Sequence, residues 1–393
     1  MKKILMLDLK YSGIQIVYYG AWCALLGYAS AFLLDRGFSN SVIGMALALV
    51  SLLSVFLQPN IGSFVDRNQS IELRKLIILI VIIMNILGLG MMFFKGIGLI
   101  LVFIGTATFY MTTMPLLNSL AFVFEKYGIE INYGLGRGLG SGAYAIASIV
   151  IGYMVEDYGS YILPMIYIFF NILLIIITYS FVVPKNETKI ADIKEEEEPQ
   201  LSLLDFVRKY KRFMIFLIGL VCIYFTMTIL TNFFIQVVRN VGGSESDMGT
   251  ADFIAAMIEL PTMIGFNWLY KRFGCNKLLK IGVISFVLKD LLTWCAVNVS
   301  MIYMIQILQM TSYGLVGPAS IYYTNRIINH SDLVKGQALL SMAYTGSGII
   351  ANLIGGILID GIGIHNVLLV GVGIAFIGMI IVFASLKKEE VVK

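Results

Sequence analysis

The chain has 393 residues, 59% of them hydrophobic and only 13% charged, with a mean hydropathy of +0.87. Soluble domains carry about 25% charged residues, so this composition excludes a water-soluble globular fold. The formal net charge of +4 follows from how the basic residues are spread along the chain, and no nucleic-acid partner is expected.

Apolar stretches of the length that crosses a bilayer, about 20 residues, run over 14–34, 41–65, 75–94, 97–124, 134–155 and 160–183. They resume over 213–238, 248–270, 278–297, 299–325, 337–359 and 364–386, so twelve transmembrane helices are predicted. The first stretch is too long for a removable signal peptide and lacks a small-residue cleavage site, so it is expected to stay as a helix. The polar segment "PKNETKIADIKEEEEPQLSLLD" divides the spans six and six. The expected domains are a bundle over 1–183, a cytoplasmic linker over 184–210 and a second bundle over 211–393. The acidic run Glu195–Glu198 reads as linker charge that stays in water.

With the N-terminus inside, 23 of the 28 basic residues fall on inner loops and ends. Arg36, Lys95 and Arg239 fall outside, and Arg137 and Lys289 fall within spans. The positive-inside rule therefore predicts both termini on the cytoplasmic side of a plasma membrane. The halves also echo each other at a constant offset: Gly142, Gly152, Glu156 and Gly159 in the fifth span match Gly346, Gly356, Asp360 and Gly363 in the eleventh. Parallel duplication of a six-helix unit is a transporter signature, with a substrate site expected near the membrane midplane between the halves.

Residues 134–145, "GLGRGLGSGAYA", contain a G-x-G-x-x-A spelling of the dinucleotide fingerprint, but no strand precedes them, so that reading fails its context test. Close helix packing is expected to explain the glycines. It does not explain Arg137, because an arginine inside a bilayer costs about 2.5–3.5 kcal/mol on insertion scales and needs a polar neighbour. Cys23, Cys222, Cys275 and Cys295 have neither metal nor redox spacing, and no cofactor or metal is expected.

"YGLGRGLGSGAYA" (133–145) resembles the fifth-helix stretch of the oligosaccharide:proton symporters, the lactose permease-type family of major facilitators. "GSFVDR" with "RK" (62–67, 74–75) resembles the facilitator loop motif, although extra residues separate its two parts. "EKYGIEINYG" (125–134), "TNFF" (231–234), "ELPT" (259–262) and "KGQALLSMAYTGSG" (335–348) resemble further stretches of the family. The resemblance implies an all-α integral membrane protein of the major facilitator fold, with twelve helices as two six-helix bundles around a central cavity. It implies a functional monomer in a bacterial cytoplasmic membrane that takes up a small sugar or oligosaccharide with a proton. Arg137 and Tyr144 match the family's arginine and sugar-stacking aromatic, Asn232 its seventh-helix asparagine and Glu259 its eighth-helix glutamate.

Several positions depart from the family. Its fourth-helix glutamate, the partner of the arginine, falls at Ala121, with Asn118 one turn earlier as a weak substitute. Its tenth-helix histidine and glutamate fall at Gln309 and Ser312, and its ninth-helix arginine near Lys289. Tyr224, Met227 and Gln306 stand where buried Asp–Lys pairs lose both members, a tolerable loss because an unpaired buried charge costs more.

The candidate substrate-binding residues are therefore Arg137, Tyr144, Asn232, Glu259, Asn118, Gln309 and, as a minor candidate, Trp22. Proton coupling is assigned to Glu259, Asp290 and Lys289. Arg137 alternatively clamps backbone carbonyls, and Lys289 and Asp290 alternatively only balance charge. Asp66 and Arg67, facing Lys126 or Glu125, form an expected cytoplasmic gate, to which Gln337 belongs unless it merely caps its helix. A proton-coupled drug or metabolite exporter and an importer of a small carboxylate stand as alternatives. No nucleophile, metal cluster or phosphate loop supports an enzyme.

Overall fold

The computed structural model describes residues 2–67, 72–124, 129–182, 202–329 and 332–386, which are helical with no strand among them. The chain forms two compact units, one of Met1–Phe38 with Met45–Glu195 and one of Ser39–Gly44 with Glu196–Lys393.

In the first unit, α1 (Lys2–Trp22) passes through a π-helical turn, Cys23–Gly27, into α2 (Ala29–Asp35). The two arms bend by 42°. The break sits where Tyr28 N donates to Cys23 O at 3.1 Å, a five-residue closure, while the Tyr28 hydroxyl donates to Ser148 O at 2.7 Å. Then follow α3 (Asn40–Arg67), α4 (Leu73–Phe93), α5 (Gly96–Phe122), α6 (Tyr133–Tyr158) and α7 (Leu163–Ser180). Helix α1 packs on α6 and α7, and α4 packs on α5 and α7.

Lipid tails are as apolar as leucine, so helices associate mainly through close packing of small residues. At the α1–α6 contact this is visible atom by atom. A Cβ on Gly136 would come within 2.6 Å of the Tyr11 ring, and one on Gly140 within 2.6 Å of the Tyr19 ring. Nothing lies within 4 Å of a Cβ on Gly138 or Gly142. Packing thus explains alternate glycines of the run and not all of it, because only one side of α6 meets α1.

The second unit contains α8 (Leu203–Lys209), α9 (Lys211–Asn232), α10 (Phe234–Asn240), α11 (Glu245–Phe273) and α12 (Cys275–Trp294). It continues with α13 (Val299–Ile305), a 3-10 turn (Gln306–Met310), α14 (Tyr313–Ile327) and α15 (Leu333–Ser385). Helix α15 packs along α9 and α12. Gly219 and Gly378 let it approach α9 until a Cβ on either would sit 2.9–3.0 Å from the other's carbonyl oxygen.

Within the expected linker, residues 184–201 lie outside the described residues, whereas α8 is ordered by its own contacts. Phe206 is fully buried against Tyr210 and Phe213. The Lys209 ammonium and the Tyr210 hydroxyl both donate to Asp332 Oδ2, at 3.0 and 2.9 Å. The Tyr210 hydroxyl and the Asp332 carboxylate hold the Lys209 ammonium above the ordinary lysine pKa.

Among the described residues, nine helices are long and apolar enough to cross a membrane, and the bent α1–α2 pair makes ten. Helix α12 fails that test because Lys277, Lys280, Lys289 and Asp290 dilute its apolar run. Helix α15 has 53 residues, about 80 Å at 1.5 Å per residue, far beyond a hydrocarbon core of about 30 Å. Gly363 breaks it at φ 78°, ψ 155°. Counting α12 and both arms of α15 gives the twelve predicted crossings. Gly159, the sequence counterpart of Gly363, adopts nearly the same conformation at φ 83°, ψ 162°, a region open chiefly to glycine.

The packing makes a differential prediction. Gly136→Ala should destabilise the protein by about 1–3 kcal/mol, the usual penalty of overpacking a core, because the Tyr11 ring it meets is fully buried. Gly138→Ala should leave the thermal midpoint of the detergent-solubilised protein unchanged. Equal effects of the two substitutions would refute the α1–α6 contact.

Candidate functional site

Two groups of polar side chains stand out inside the spans, one in each unit. In the first, α6 starts from a capped N-terminus: the Asn132 side chain accepts from Leu135 N at 2.9 Å, and Asp8 Oδ1 accepts from Asn132 N at 2.8 Å. One turn on, the half-buried Arg137 lays its guanidinium over the Tyr19 ring, 5.3 Å from Cζ to centroid. Its Nη1 is buried and has no hydrogen-bond partner.

Tyr19 stacks on Trp22 at 6.1 Å, and both lie edge-on to Tyr18, at 5.9 and 6.2 Å. Tyr18 in turn stacks face to face on Tyr110 of α5, at 4.5 Å. The Tyr18 hydroxyl donates to Tyr110 O, and the Tyr110 hydroxyl donates to Tyr18 O. This reciprocal pair ties α1 to α5 and holds Trp22 and Tyr19 beside Arg137.

Asn118 does not serve as partner of Arg137. Its Oδ1 accepts from Gln15 Nε2 at 3.3 Å, and Gln15 also donates to the Tyr11 hydroxyl at 2.7 Å. Tyr144 comes against the π-helical break of the first span: its hydroxyl would lie 3.0 Å from a Cβ on Gly27. Two helical turns put Arg137 and Tyr144 on one side of α6, but the aromatic that stacks on the arginine is Tyr19.

In the second unit Gln309, in the 3-10 turn between α13 and α14, bridges two charges. Its Oε1 accepts from Lys289 Nζ at 2.7 Å, and its Nε2 donates to Glu259 Oε2 at 2.9 Å. Lys289 and Glu259 are therefore linked through a side-chain amide. The Lys289 ammonium also feels the carboxylates of Asp290 and Asp252. Asp290 is 3% exposed, and neither of its oxygens has a hydrogen-bond partner, with Lys289 and the Thr226 hydroxyl nearby. Asn232, the last residue of α9, donates to Asn352 Oδ1 of α15 at 2.7 Å.

Of the expected gate, the described residues include Gln337 and Arg67. Gln337 donates to Asn325 Oδ1 and to Ile321 O, which joins the start of α15 to α14. Arg67 is exposed at the end of α3. Lys126, Glu125 and the side chain of Asp66 lie outside the described residues.

Gln15, Asp252 and Asn352 join these groups although no sequence motif marks them as members. Asp252 carries a readable signal: it precedes Glu259 by seven residues, two helical turns, in an otherwise apolar stretch. Gln15 carries none, whereas Tyr19 belongs with Tyr18 and Trp22 to the aromatic cluster of the first span, where a sugar-facing role is open to each ring.

Comparison with known proteins agrees with this architecture. The chain is 26% identical over 365 residues to the uncharacterised transporter YwbF of Bacillus subtilis (strain 168), an alignment covering 91% of this chain and 88% of the relative. It is 23% identical over 381 residues to the maltose permease of Geobacillus stearothermophilus, covering 94% and 92% of the two chains. The fold is similar to crystal structures of the nucleoside transporter NupG, with TM-scores of 0.82 and 0.79 at 14% and 17% identity, covering 97% and 99% of this chain and all of those chains. A bacterial homologue of the human lysosomal transporter Spinster gives a TM-score of 0.70 at 13% identity, covering 97% of this chain and 96% of that one. These are transporters and not enzymes. A family model matches residues 8–370, and on that match over almost the whole chain this protein is a member of the MFS_1 like family of membrane transporters.

Proposed function

We propose that the protein takes up a small sugar or oligosaccharide together with a proton, by alternating access. The carrying observation is the Arg137 guanidinium, buried at Nη1 with no acceptor and seated on the Tyr19–Trp22 stack. A buried donor left unsatisfied costs about 1–3 kcal/mol, and a hydroxyl-rich solute supplies the acceptors. The apolar faces of a sugar ring pack on aromatic rings, which Tyr19 and Trp22 offer next to those donors. The similarity to a maltose permease supports this substrate class.

The second unit supplies the proton-bearing group. Glu259 is held by Gln309 and balanced by Lys289, with Asp290 as a second carboxylate. Moving an ionised carboxylate through a dry, occluded state is costly, and binding a proton removes that cost. The protonated carrier then reorients with its solute. A second reading, a nucleoside, draws on the same groups, because ribose hydroxyls suit Arg137 and a base suits the aromatic stack. The fold likeness to NupG favours keeping it.

The test is the external pH of lightly buffered, de-energised cells expressing the protein, to which maltose, uridine and benzoate are added in turn. Alkalinisation with maltose is expected. Alkalinisation with uridine alone would replace the sugar by a nucleoside, and a response to benzoate alone would make Arg137 a carboxylate clamp. Solute entry with no pH change would remove the proton from the mechanism, and export of preloaded solute without uptake would reverse the direction.

Three substitutions separate the roles. Arg137→Lys should lower uptake at least tenfold, roughly the 1.4 kcal/mol that one good hydrogen bond supplies, because an ammonium lacks the planar fork of donors that guanidinium presents. Glu259→Gln should abolish the pH signal while solute exchange between two loaded compartments continues. Gln309→Ala should impair both and lower stability by about 1–3 kcal/mol, since it leaves two charged groups without their bridge.

The proposed orientation, both termini cytoplasmic in the plasma membrane, has its own check. Cys295 is exposed at the end of α12, whereas Cys23 and Cys275 are buried. A membrane-impermeant maleimide added to intact cells should label Cys295 and lose its target in Cys295→Ser. Labelling only after the cells are opened would invert the topology.

A further inference from the structure

The Lys/Arg-rich end of the second unit holds a cavity of about 840 Å³, within the range of about 300–1,000 Å³ typical of small-molecule sites. Five cationic side chains line it: Arg208 and Lys209 of α8, Lys211 and Arg212 at the start of α9, and Arg326 near the end of α14. Tyr323 and Asn276, both buried, also line it, and the Tyr323 hydroxyl donates to Ser385 O at 3.5 Å. No Asp or Glu lines the cavity among the described residues.

Lys209 is engaged with the nearly buried Asp332. Arg208, Lys211 and Arg212 have no carboxylate partner among the described residues. The positive-inside rule accounts for the sign of charge at this end of the protein. It does not account for convergence of five cations on one concavity, where each pair repels. Lys277 and Arg272, by contrast, lie over the Phe273 and Trp268 rings.

The chemistry that satisfies such a wall is a phosphate group, whose oxygens take forked donors from arginine and a point charge from lysine. Phosphate reaches this face either on a soluble metabolite or on a lipid, and the surroundings favour the lipid. Beyond Arg212, α9 turns Ile215 and Ile218 outward, 43% and 56% exposed; beyond Asn276, α12 turns out Ile281 and Ile284, at 37% and 47%. On α8, Leu204 and Val207 are exposed while Phe206 anchors the helix inward, the pattern of a segment lying at a membrane interface.

We infer that this cavity binds the phosphate headgroup of an anionic phospholipid, whose acyl chains lie along the exposed isoleucines of α9 and α12. Arg208, Lys211 and Arg212 grip the phosphate, and the Asn276 amide meets a remaining oxygen. Because α8 carries part of the wall and is itself clamped to Asp332, the bound lipid ties α8 to the ends of α9 and α14. The site is independent of the transported solute.

The test uses the purified full-length protein in a neutral detergent, with lipid binding followed by native mass spectrometry and by the thermal midpoint. Dioleoyl phosphatidylglycerol should bind at least tenfold more tightly than dioleoyl phosphatidylcholine and raise the midpoint. The triple variant R208Q/K211Q/R212Q should lose at least tenfold in phosphatidylglycerol affinity with its weak phosphatidylcholine binding unchanged. The control variant R272Q/K277Q, which removes two charges outside the cavity, should lose less than twofold.

Undiminished binding by the triple variant, or an equal loss in the control, would overturn the site in favour of diffuse surface charge. Competition by glycerol 3-phosphate or inorganic phosphate at the same concentration as the lipid would overturn the lipid in favour of a soluble phosphate. If the triple variant does not fold, Arg212→Gln should weaken phosphatidylglycerol binding about threefold and Arg212→Lys less than that. Equal affinity in wild type and Arg212→Gln then refutes the assignment.

Discussion

Every amide in a hydrocarbon slab must find its hydrogen-bond partner within its own segment, and this requirement organises the rest of the molecule. It forces the chain into helices and makes each interruption costly, so interruptions occur only where protein groups or water take over the released partners. Four breaks stand out among the described residues: the π-helical turn before Tyr28, the end of α9 at Asn232, the 3-10 turn Gln306–Met310, and Gly363. The polar chemistry collects beside them. Tyr144 lies against the first break, Asn232 with Asn352 forms the second, and Gln309 with its two charged neighbours occupies the third. The fourth separates the two arms of α15.

Close approach of helices is the complementary constraint. Where α1 meets α6, two glycines remove the side chains that would hold the backbones apart, and the Tyr11 and Tyr19 rings fill the space instead. The same contact aims Arg137, which lies between Gly136 and Gly140 in sequence, at the ring of Tyr19. The packing motif and the candidate binding motif are thus one stretch of residues, in which Gly136, Arg137 and Gly140, within about one helical turn, face α1.

The fold was largely legible because length and apolarity of a segment are local properties: a run of twenty apolar residues needs no knowledge of its neighbours to be read as a span. Two details were not. Helix α12 reads as a span only when its charges are granted a polar interior, and the union of the last two spans into α15 depends on the conformation of one glycine. The site was legible in its charged members, since an arginine or carboxylate in an apolar run advertises itself. It was not legible in its partners. The family resemblance offers Asn118 as a weak substitute for the glutamate that partners the arginine, whereas the structure gives Asn118 to Gln15 and leaves Arg137 on Tyr19. That choice depends on which face of α1 turns toward α6, a property of two helices together. Asp252 belongs to no recognised motif, although an ionisable group in a span invites a functional reading whatever motif surrounds it.

The internal duplication separates what the two halves share from what they do not. At the constant offset that relates Gly159 to Gly363, the break at Tyr28 corresponds to Asn232, and both glycines keep the same positive-φ backbone. These breaks are therefore common to the two halves. The chemistry is not: Arg137 corresponds to Ser341, Trp22 to Thr226, Glu259 to Val55, Lys289 to Asn85 and Asp290 to Ile86. One half has an arginine on an aromatic stack, and the other a glutamate and a lysine joined by a side-chain amide. A duplicated unit with identical sites would bind the same ligand twice. The 3-10 turn that carries Gln309 has no counterpart, because the matching residues 102–106 lie inside unbroken α5; under the proposed uptake with a proton, the first half would recognise the solute and the second would manage charge, the division of labour that coupling requires.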